Sequence, residues 1–298
     1  MTCGIWQLIV CSSLLLALGL VVVTAVCGFV MGTPLVALDG WSLLACSLGT
    51  AATAASANTF NQFLEVPYDS QMKRTQARVL VRHEITPLHA FALATTCGLL
   101  GVSVLGLGCN ALTAALGLGN LLLYAFVYTP MKRLSELNTW VGAVVGAIPP
   151  LMGWAAATGG LDLAGLVLAG VLYSWQLPHF NSLSWNLRPD YSRAGYRMVS
   201  VTDPHECSRS TLRHACALLL LCSVAAPLTD LTSWTFAVDS IPLNVYMIYK
   251  CYRFDQNRDS ANSRSLFRYS LLYLPLVMLL MILGRNWSKE AEKKKKQS

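Results

Sequence analysis

Apolar residues in this sequence come in long blocks separated by short polar loops. Nine blocks run roughly over residues 8–31, 41–62, 86–107, 111–129, 139–158, 161–185, 210–229, 232–252 and 265–284. A helix needs about 20 mostly apolar residues to cross a hydrocarbon core. That core holds no water to satisfy loose backbone groups, so each block is predicted to be a continuous helix. The expected fold class is an all-α membrane protein with about nine transmembrane helices. Residues 1–285 read as a single polytopic domain with no room for a separate soluble one, and 286–298 as a Lys-rich tail, expected to be disordered. No internal repeat is visible.

Composition agrees with this pattern. Of 298 residues, 54% are hydrophobic and 12% charged, against about 25% charged in a soluble domain. The first block is read as a span and not a signal peptide, because no Lys or Arg precedes it and it is too long for a signal h-region. No Arg-rich transit segment precedes it, so an import signal is expected to be internal or outside this sequence. The ten cysteines form no C-x-x-C pair and read as small hydrophobes in helix packing. The lipid bilayer is the partner implied, and no nucleic acid is expected.

Charge then orients the bundle. Basic residues cluster in four loops: Lys73, Arg74, Arg78 and Arg82; Lys132 and Arg133; Arg188, Arg193, Arg197, Arg209 and Arg213; and Lys250, Arg253, Arg258, Arg264 and Arg268. The loops between them have none. Nine spans place all four basic loops on the face that holds the N-terminus. By the positive-inside rule that face is cytosolic or matrix-side. The tail, with Arg285, Lys289 and Lys293–Lys296, falls on the opposite face and runs against the rule.

Two polar constellations lie at the basic face. At the end of the second block, Asn61, Glu65 and Asp69 are spaced i, i+4, i+8, one helical stripe rising about 6 Å per step. Acids at the mouth of a membrane helix are costly and usually face a cavity or pathway. Oxygen ligands of this kind suit Mg²⁺, which takes one or two carboxylates together with substrate phosphates. Arg74 and Arg78 follow, and guanidinium groups hold phosphate through two parallel bonds. Pro67 should kink or end the helix, leaving the alignment of Asp69 less certain than that of Asn61 and Glu65. The bland reading is an ordinary solvated helix end. After the sixth block, Asn186 and Asp190 repeat the i, i+4 spacing, as do Arg193 and Arg197. Two such loops on one face are expected to close around one diphosphate. Lys132 and Arg133 are further phosphate candidates or plain topology charges. Gly142 and Gly146 are at G-x-x-x-G spacing, a signal of close helix packing. His179 reads as a possible haem ligand or proton acceptor, although a lone helix histidine is more often a packing residue.

These motifs carry a family resemblance. N-x-x-N-Q-x-x-E-x-x-x-D-x-x-M-x-R-T-x-x-R over residues 58–78, Y-T-P-x-K-R over 128–133, N-T-x-V-G-A-x-x-G-A-x-P-P-x-x-G-W over 138–154 and D-Y-x-x-x-G over 190–195 resemble the haem O synthases (protoheme IX farnesyltransferases) in their animal mitochondrial form. The resemblance extends from about residue 30 to 283. It implies a UbiA-type intramembrane prenyltransferase, with nine helices around a central cavity. It implies farnesyl transfer from farnesyl diphosphate to a vinyl group of haem b, giving haem O for haem A and cytochrome c oxidase. It implies Mg²⁺ as cofactor, the mitochondrial inner membrane as location with the diphosphate site facing the matrix, and a downstream haem A synthase as partner. On this view Asn61, Glu65, Asp69, Asn186 and Asp190 hold metal and diphosphate. Asn58, Arg74, Arg78, Lys132, Arg133 and Arg193 contact diphosphate, and His179 contacts haem. Related prenyltransferases often use two Asp-rich motifs; here Asn61, Glu65 and Asn186 stand at possible aspartate positions. A transporter would need polar groups near the bilayer midplane, whereas these cluster at one face. A non-catalytic assembly factor would tolerate loss of Asp69 or Asp190.

Overall fold

A computed structural model describes residues 12–33 and 38–285. The first eleven residues and the Lys-rich tail lie outside it. Nine long helices follow the nine blocks in order among the described residues. They are α1 (Ser12–Gly32), α2 (Gly40–Asp69), α3 (Pro87–Gly108), α4 (Ala111–Leu134), α5 (Asn138–Thr158), α6 (Leu163–Asn186), α9 (Pro204–Leu228), α10 (Trp234–Gln256) and α11 (Ser260–Leu283). Two short helices, α7 (Arg188–Arg193) and α8 (Val199–Thr202), fill the sixth connection.

Six of these, α3, α4, α5, α6, α9 and α11, are long and apolar enough to cross a membrane by length and composition. Helix α1 carries no charged residue over Ser12–Gly32. Helix α2 is rich in Ser, Thr and Asn, and α10 carries Asp239, Lys250, Arg253 and Asp255. Nine crossings is therefore a proposal resting on helix order and on the grouping of the basic loops. Large apolar side chains such as Leu88, Leu99, Leu107, Val238 and Leu272 point outward, as a lipid-facing surface requires.

The helix starts follow local rules. Asp39, Thr86, Asn110, Asp162, Asp203 and Asp259 each accept a hydrogen bond from a backbone N–H in the first turn of the helix that follows. These caps satisfy donors that the helix itself leaves open. Gly159, at φ +76°, ends α5 in a left-handed conformation that glycine adopts without strain. Helices α4 and α9 each contain a wide π-type turn, Leu123–Tyr128 and Leu221–Ala225. Both turns lie just before a proline, Pro130 and Pro227. Proline lacks the N–H that would continue the ladder and crowds the carbonyl four residues earlier, so the backbone widens.

Helix α1 packs on α5, α2 on α3, and α6 on α5, α9 and α11. The largest core cluster joins α6, α9, α10 and α11 around Trp175, Phe236, Phe254 and Tyr273. The closest approaches use glycines that the G-x-x-x-G reading did not select. A Cβ on Gly153 would lie 1.8 Å from the Ala25 carbonyl oxygen, and one on Gly28 would lie 2.1 Å from that of Pro150. A Cβ on Gly101 would lie 2.8 Å from the backbone nitrogen of Thr53. Gly142 and Gly146 instead face side chains, Tyr128 and Gln176. Arg285 closes the bundle by donating to the carbonyls of Val30 on α1 and of Thr33 just after it.

The backbone contact at Gly153 predicts that Gly153→Ala lowers the thermal midpoint of the detergent-solubilised protein. Overpacking costs about 1–3 kcal/mol. Gly119→Ala meets no atom within 4 Å and should leave the midpoint unchanged or slightly higher. Equal midpoints for the two variants would contradict the close α1–α5 crossing.

Candidate active site

The stripe on α2 is intact and buried. Asn61, Gln62, Glu65 and Asp69 are all nearly inaccessible, with Asp69 only 1% exposed. Pro67 does not end the helix before Asp69, contrary to expectation. It sits in the last turn, where few helical bonds remain to be lost. The N–H of Ser70 still reaches the Val66 carbonyl at 3.3 Å. The following loop also holds this end, because the Thr75 hydroxyl donates to the Asp69 carbonyl at 3.0 Å.

Two cations answer the two carboxylates. Lys132, from the last turn of α4, places its Nζ 2.7 Å from Glu65 Oε1. Arg78, from the loop after α2, bonds Asp69 Oδ2 at 2.5 Å and lies 3.9 Å from Glu65 Oε2. Ionised carboxylates are not left buried without such partners. Burial still raises the Asp69 carboxyl above the usual range, with Arg78 opposing it. Asp69 Oδ1 is buried and has no hydrogen-bond partner. An unpartnered carboxylate oxygen beside a second carboxylate is a donor set that fits Mg²⁺.

Asn61 is fixed by donating from Nδ2 to the Thr129 hydroxyl at 3.0 Å. Thr129 in turn donates to the Tyr124 carbonyl, the bond that the wide turn of α4 makes available. The same turn aims Tyr124 and Tyr128 inward. Tyr124 donates to Asn58 Oδ1 at 3.4 Å, and Lys132 Nζ stands 4.8 Å from the centre of the Tyr128 ring.

The other expected site residues are placed differently. Arg133 is exposed, stacks over the Tyr68 ring at 4.4 Å and donates to its hydroxyl. Arg74 is exposed at the same end. Asn186 turns toward α11, donating to the Ser182 carbonyl and the Ser263 hydroxyl. Asp190 pairs with Arg193, one turn along α7. Among the described residues, no three His, Cys, Asp or Glu side chains converge as a metal site, so Asp190 does not form a carboxylate triad with Glu65 and Asp69. The second loop reaches the first through aromatic side chains instead. Tyr191 and Tyr196 pack with Tyr68, Met72 and Met198. Burial, and then the carboxylates of Glu65 and Asp69, push the Tyr196 phenol well up. Sequence reasoning missed Tyr196 and the Lys132–Glu65 pair. The Gly195–Tyr196 turn, with Gly195 at φ +72°, was a signal of a shaped loop, but nothing in it named the partner.

Beside this cluster lies a cavity of about 410 Å³, walled by α1, α2, α4, α5 and α6. Small-molecule pockets span about 300–1,000 Å³. Its walls are mostly apolar, with Asn58, Tyr124 and Tyr128 toward the carboxylates and His179 and Gln176 on α6. The cavity is central, as expected, but five helices line it and the others support them. His179 is held in place: Nδ1 lies 2.9 Å from the Ser270 hydroxyl, and the ring stacks on Trp175 at 4.7 Å. Gln176 donates to the Ala143 carbonyl, and Gly146 leaves the room it occupies. The paired glycines of α5 thus shape the cavity wall, a correction to their reading as a helix-packing motif.

The model of the UbiA prenyltransferase family matches residues 9–272. The human protein named protoheme IX farnesyltransferase, mitochondrial, is 54% identical over 88% of this chain and 59% of its own length. The chain therefore spans about three-fifths of that relative. A solved digeranylgeranylglyceryl phosphate synthase superposes with a TM-score of 0.78 at 12% identity, covering 94% of this chain and 97% of that one. A UbiA homologue from Archaeoglobus fulgidus, solved with GPP and Mg²⁺, gives 0.63 at 13% identity, covering 92% and 99%. At these identities the likeness shows the fold alone.

The buried ion pair generates a prediction. Lys132→Met leaves Glu65 with a weakened partner set and should cost about 3–5 kcal/mol of stability. Adding Glu65→Gln should recover part of that loss, giving a favourable coupling in a double-mutant cycle. If Lys132→Met unfolds like the wild type, the two side chains do not share a buried pair.

Proposed function

Because the chain belongs to the UbiA prenyltransferase family, we propose that it transfers a farnesyl group from farnesyl diphosphate to a vinyl group of protoheme IX. The product is haem O. The observation that carries this reading is the junction of a neutralised carboxylate–cation cluster with a mostly apolar cavity. A prenyl diphosphate has the same two parts, a charged head and an apolar chain.

The residues divide the work by charge. Glu65 and Asp69 are already balanced by Lys132 and Arg78, so the cluster cannot take up a diphosphate by charge alone. Lys132 and Arg78 would turn to the phosphate oxygens of a bound diphosphate, and the released carboxylates, with Asn61, would hold the metal. Glu65 and Asp69 are the residues that would hold Mg²⁺, which would supply positive charge against the leaving diphosphate. Arg74 and Arg133, exposed at the mouth, attract and orient the incoming anion. Tyr124, Tyr128 and Asn58 mark the boundary between head and chain. The C–O bond to diphosphate breaks, and the apolar walls keep water from the allylic carbon so that the vinyl carbon attacks it first; the cation left beside the porphyrin then takes up water and loses a proton, ending as a hydroxyl. His179, fixed on the cavity wall, is the candidate contact for haem.

The relatives' names and the apolar helices support a mitochondrial membrane. We assign the inner membrane, with the basic end and the diphosphate site facing the matrix, and a haem A synthase as the enzyme that receives the product.

The test uses cells that lack haem O, with extracted haems separated and quantified. Wild type should restore haem O. Asp69→Asn and Glu65→Gln should lower its formation by about 10²–10³-fold at equal protein level, the scale of losing one charge-stabilising group. In isolated membranes, removing divalent cations should stop turnover and Mg²⁺ should restore it. Full restoration by both carboxylate variants would sink the site assignment. No haem O from well-expressed wild type would sink the proposed activity for this chain.

A further inference from the structure

The central cavity has a direction and an end. Helices α2 and α4 finish at the basic face and α5 begins there, so residue numbers along the three walls mark depth. At the charged end Tyr124 meets Asn58, and Tyr128 fills the space that Gly142 leaves. At the other end the same three helices close on one another. A Cβ on Gly117 would lie 3.2 Å from Met152 Cε and 3.9 Å from Thr53 Cγ2. The cavity tapers between these levels. Ala54 and Asn120 on its walls are half-buried, whereas Thr50, Gly117 and Met152 are buried. Behind this floor stands Leu105 of α3, fully buried, 2.6 Å from the position of a Gly117 Cβ.

The depth can be compared with a substrate. Asn58 to Thr50 is eight positions on α2, and Gly142 to Met152 is ten on α5. At 1.5 Å per helical residue these spans are about 12 and 15 Å. An extended carbon chain advances about 1.2 Å per bond, so each isoprene unit, with four main-chain bonds, adds about 5 Å. Three units reach about 14 Å, the depth of the cavity. Two units stop about one helical turn above the floor, and four overrun it by about 5 Å. The floor is also too narrow for a rigid macrocycle. That leaves the α1 and α6 side of the cavity, with Leu20 and His179, for the acceptor.

We propose that the arm between α2, α4 and α5 is the chain subsite, and that Met152 and Thr53, meeting across Gly117, limit the prenyl group to three isoprene units. Ala54, about one turn above Thr50, keeps the arm open at the depth of the third unit. The inference rests on the prenyl diphosphate reading of the carboxylate cluster and adds to it the residues that select chain length. One methylene in an apolar pocket is worth about 10–200-fold in discrimination, so a whole isoprene unit that fails to fit should be read easily.

The test measures binding of unreactive thiolo analogues of geranyl, farnesyl and geranylgeranyl diphosphate to the purified full chain with Mg²⁺, by calorimetry. Affinity ratios are compared between proteins, which cancels the partition of each analogue into detergent. Met152→Ala deepens the arm toward Leu105 and should raise the geranylgeranyl-to-farnesyl affinity ratio tenfold or more. Ala54→Leu lifts the floor by about one turn and should raise the geranyl-to-farnesyl ratio by a similar factor. It alters a half-buried wall position, so it reads the same arm if Met152→Ala does not fold. An unchanged ratio in either folded variant would overturn the proposal, because the chain would then leave sideways into lipid and its length would not be gauged. A wild type that binds none of the three analogues would instead overturn the prenyl diphosphate reading itself, and the chain subsite with it.

Discussion

Two carboxylates buried at the end of a membrane helix bundle set the terms for the rest of this structure. Glu65 and Asp69 are each at most 4% exposed, and desolvating such a group costs several kcal/mol unless it is paired. The pairing draws Lys132 from α4 and Arg78 from the loop after α2 onto one point. That requirement fixes where α4 ends relative to α2 and folds the first basic loop back over the bundle. It also stores a pair of cations where an anionic substrate would need them. On the proposed reading, the balanced cluster would exchange partners when a diphosphate and its metal arrive together.

The apolar half of the site depends on backbone irregularity. Pro130 accompanies the wide turn in α4 that turns Tyr124 and Tyr128 inward and sets the Tyr124 carbonyl against Thr129, whose N–H and hydroxyl both donate to it. Gly142 and Gly146 remove side chains from the facing wall so that Tyr128 and Gln176 fit. Elsewhere, Gly28 and Gly153 let α1 and α5 touch backbone to backbone. Contacts of that kind fix α1 against α5, two of the helices that line the cavity.

Much of this was legible in the sequence, and the limits have physical causes. Helix order followed from apolar block length, and the first polar stripe from its i, i+4, i+8 spacing. Local rules do not report which face a side chain takes once a chain bends. Asn186 and Asp190 share the spacing of the first motif, yet one turns to Ser263 and the other to Arg193. Pro67 looked like a break, but in a last turn it costs little, and Thr75 and Arg78 hold the end. Lys132 was visible as a basic loop residue, while its partner lies 67 positions away. The resemblance carried by the motifs at 58–78, 128–133, 138–154 and 190–195 supplied the farnesyl and haem chemistry, which spacing alone does not specify.

The central claim is that Glu65 and Asp69 hold a metal only together with a prenyl diphosphate at the cavity mouth. Electron paramagnetic resonance with Mn²⁺ in place of Mg²⁺, on purified protein with an unreactive thiolo analogue of farnesyl diphosphate, tests it directly. The account predicts a bound Mn²⁺ signal when the analogue is present, loss of that signal in Glu65→Gln and Asp69→Asn, and little bound Mn²⁺ without the analogue. A signal of equal strength in the wild type and both variants would contradict it.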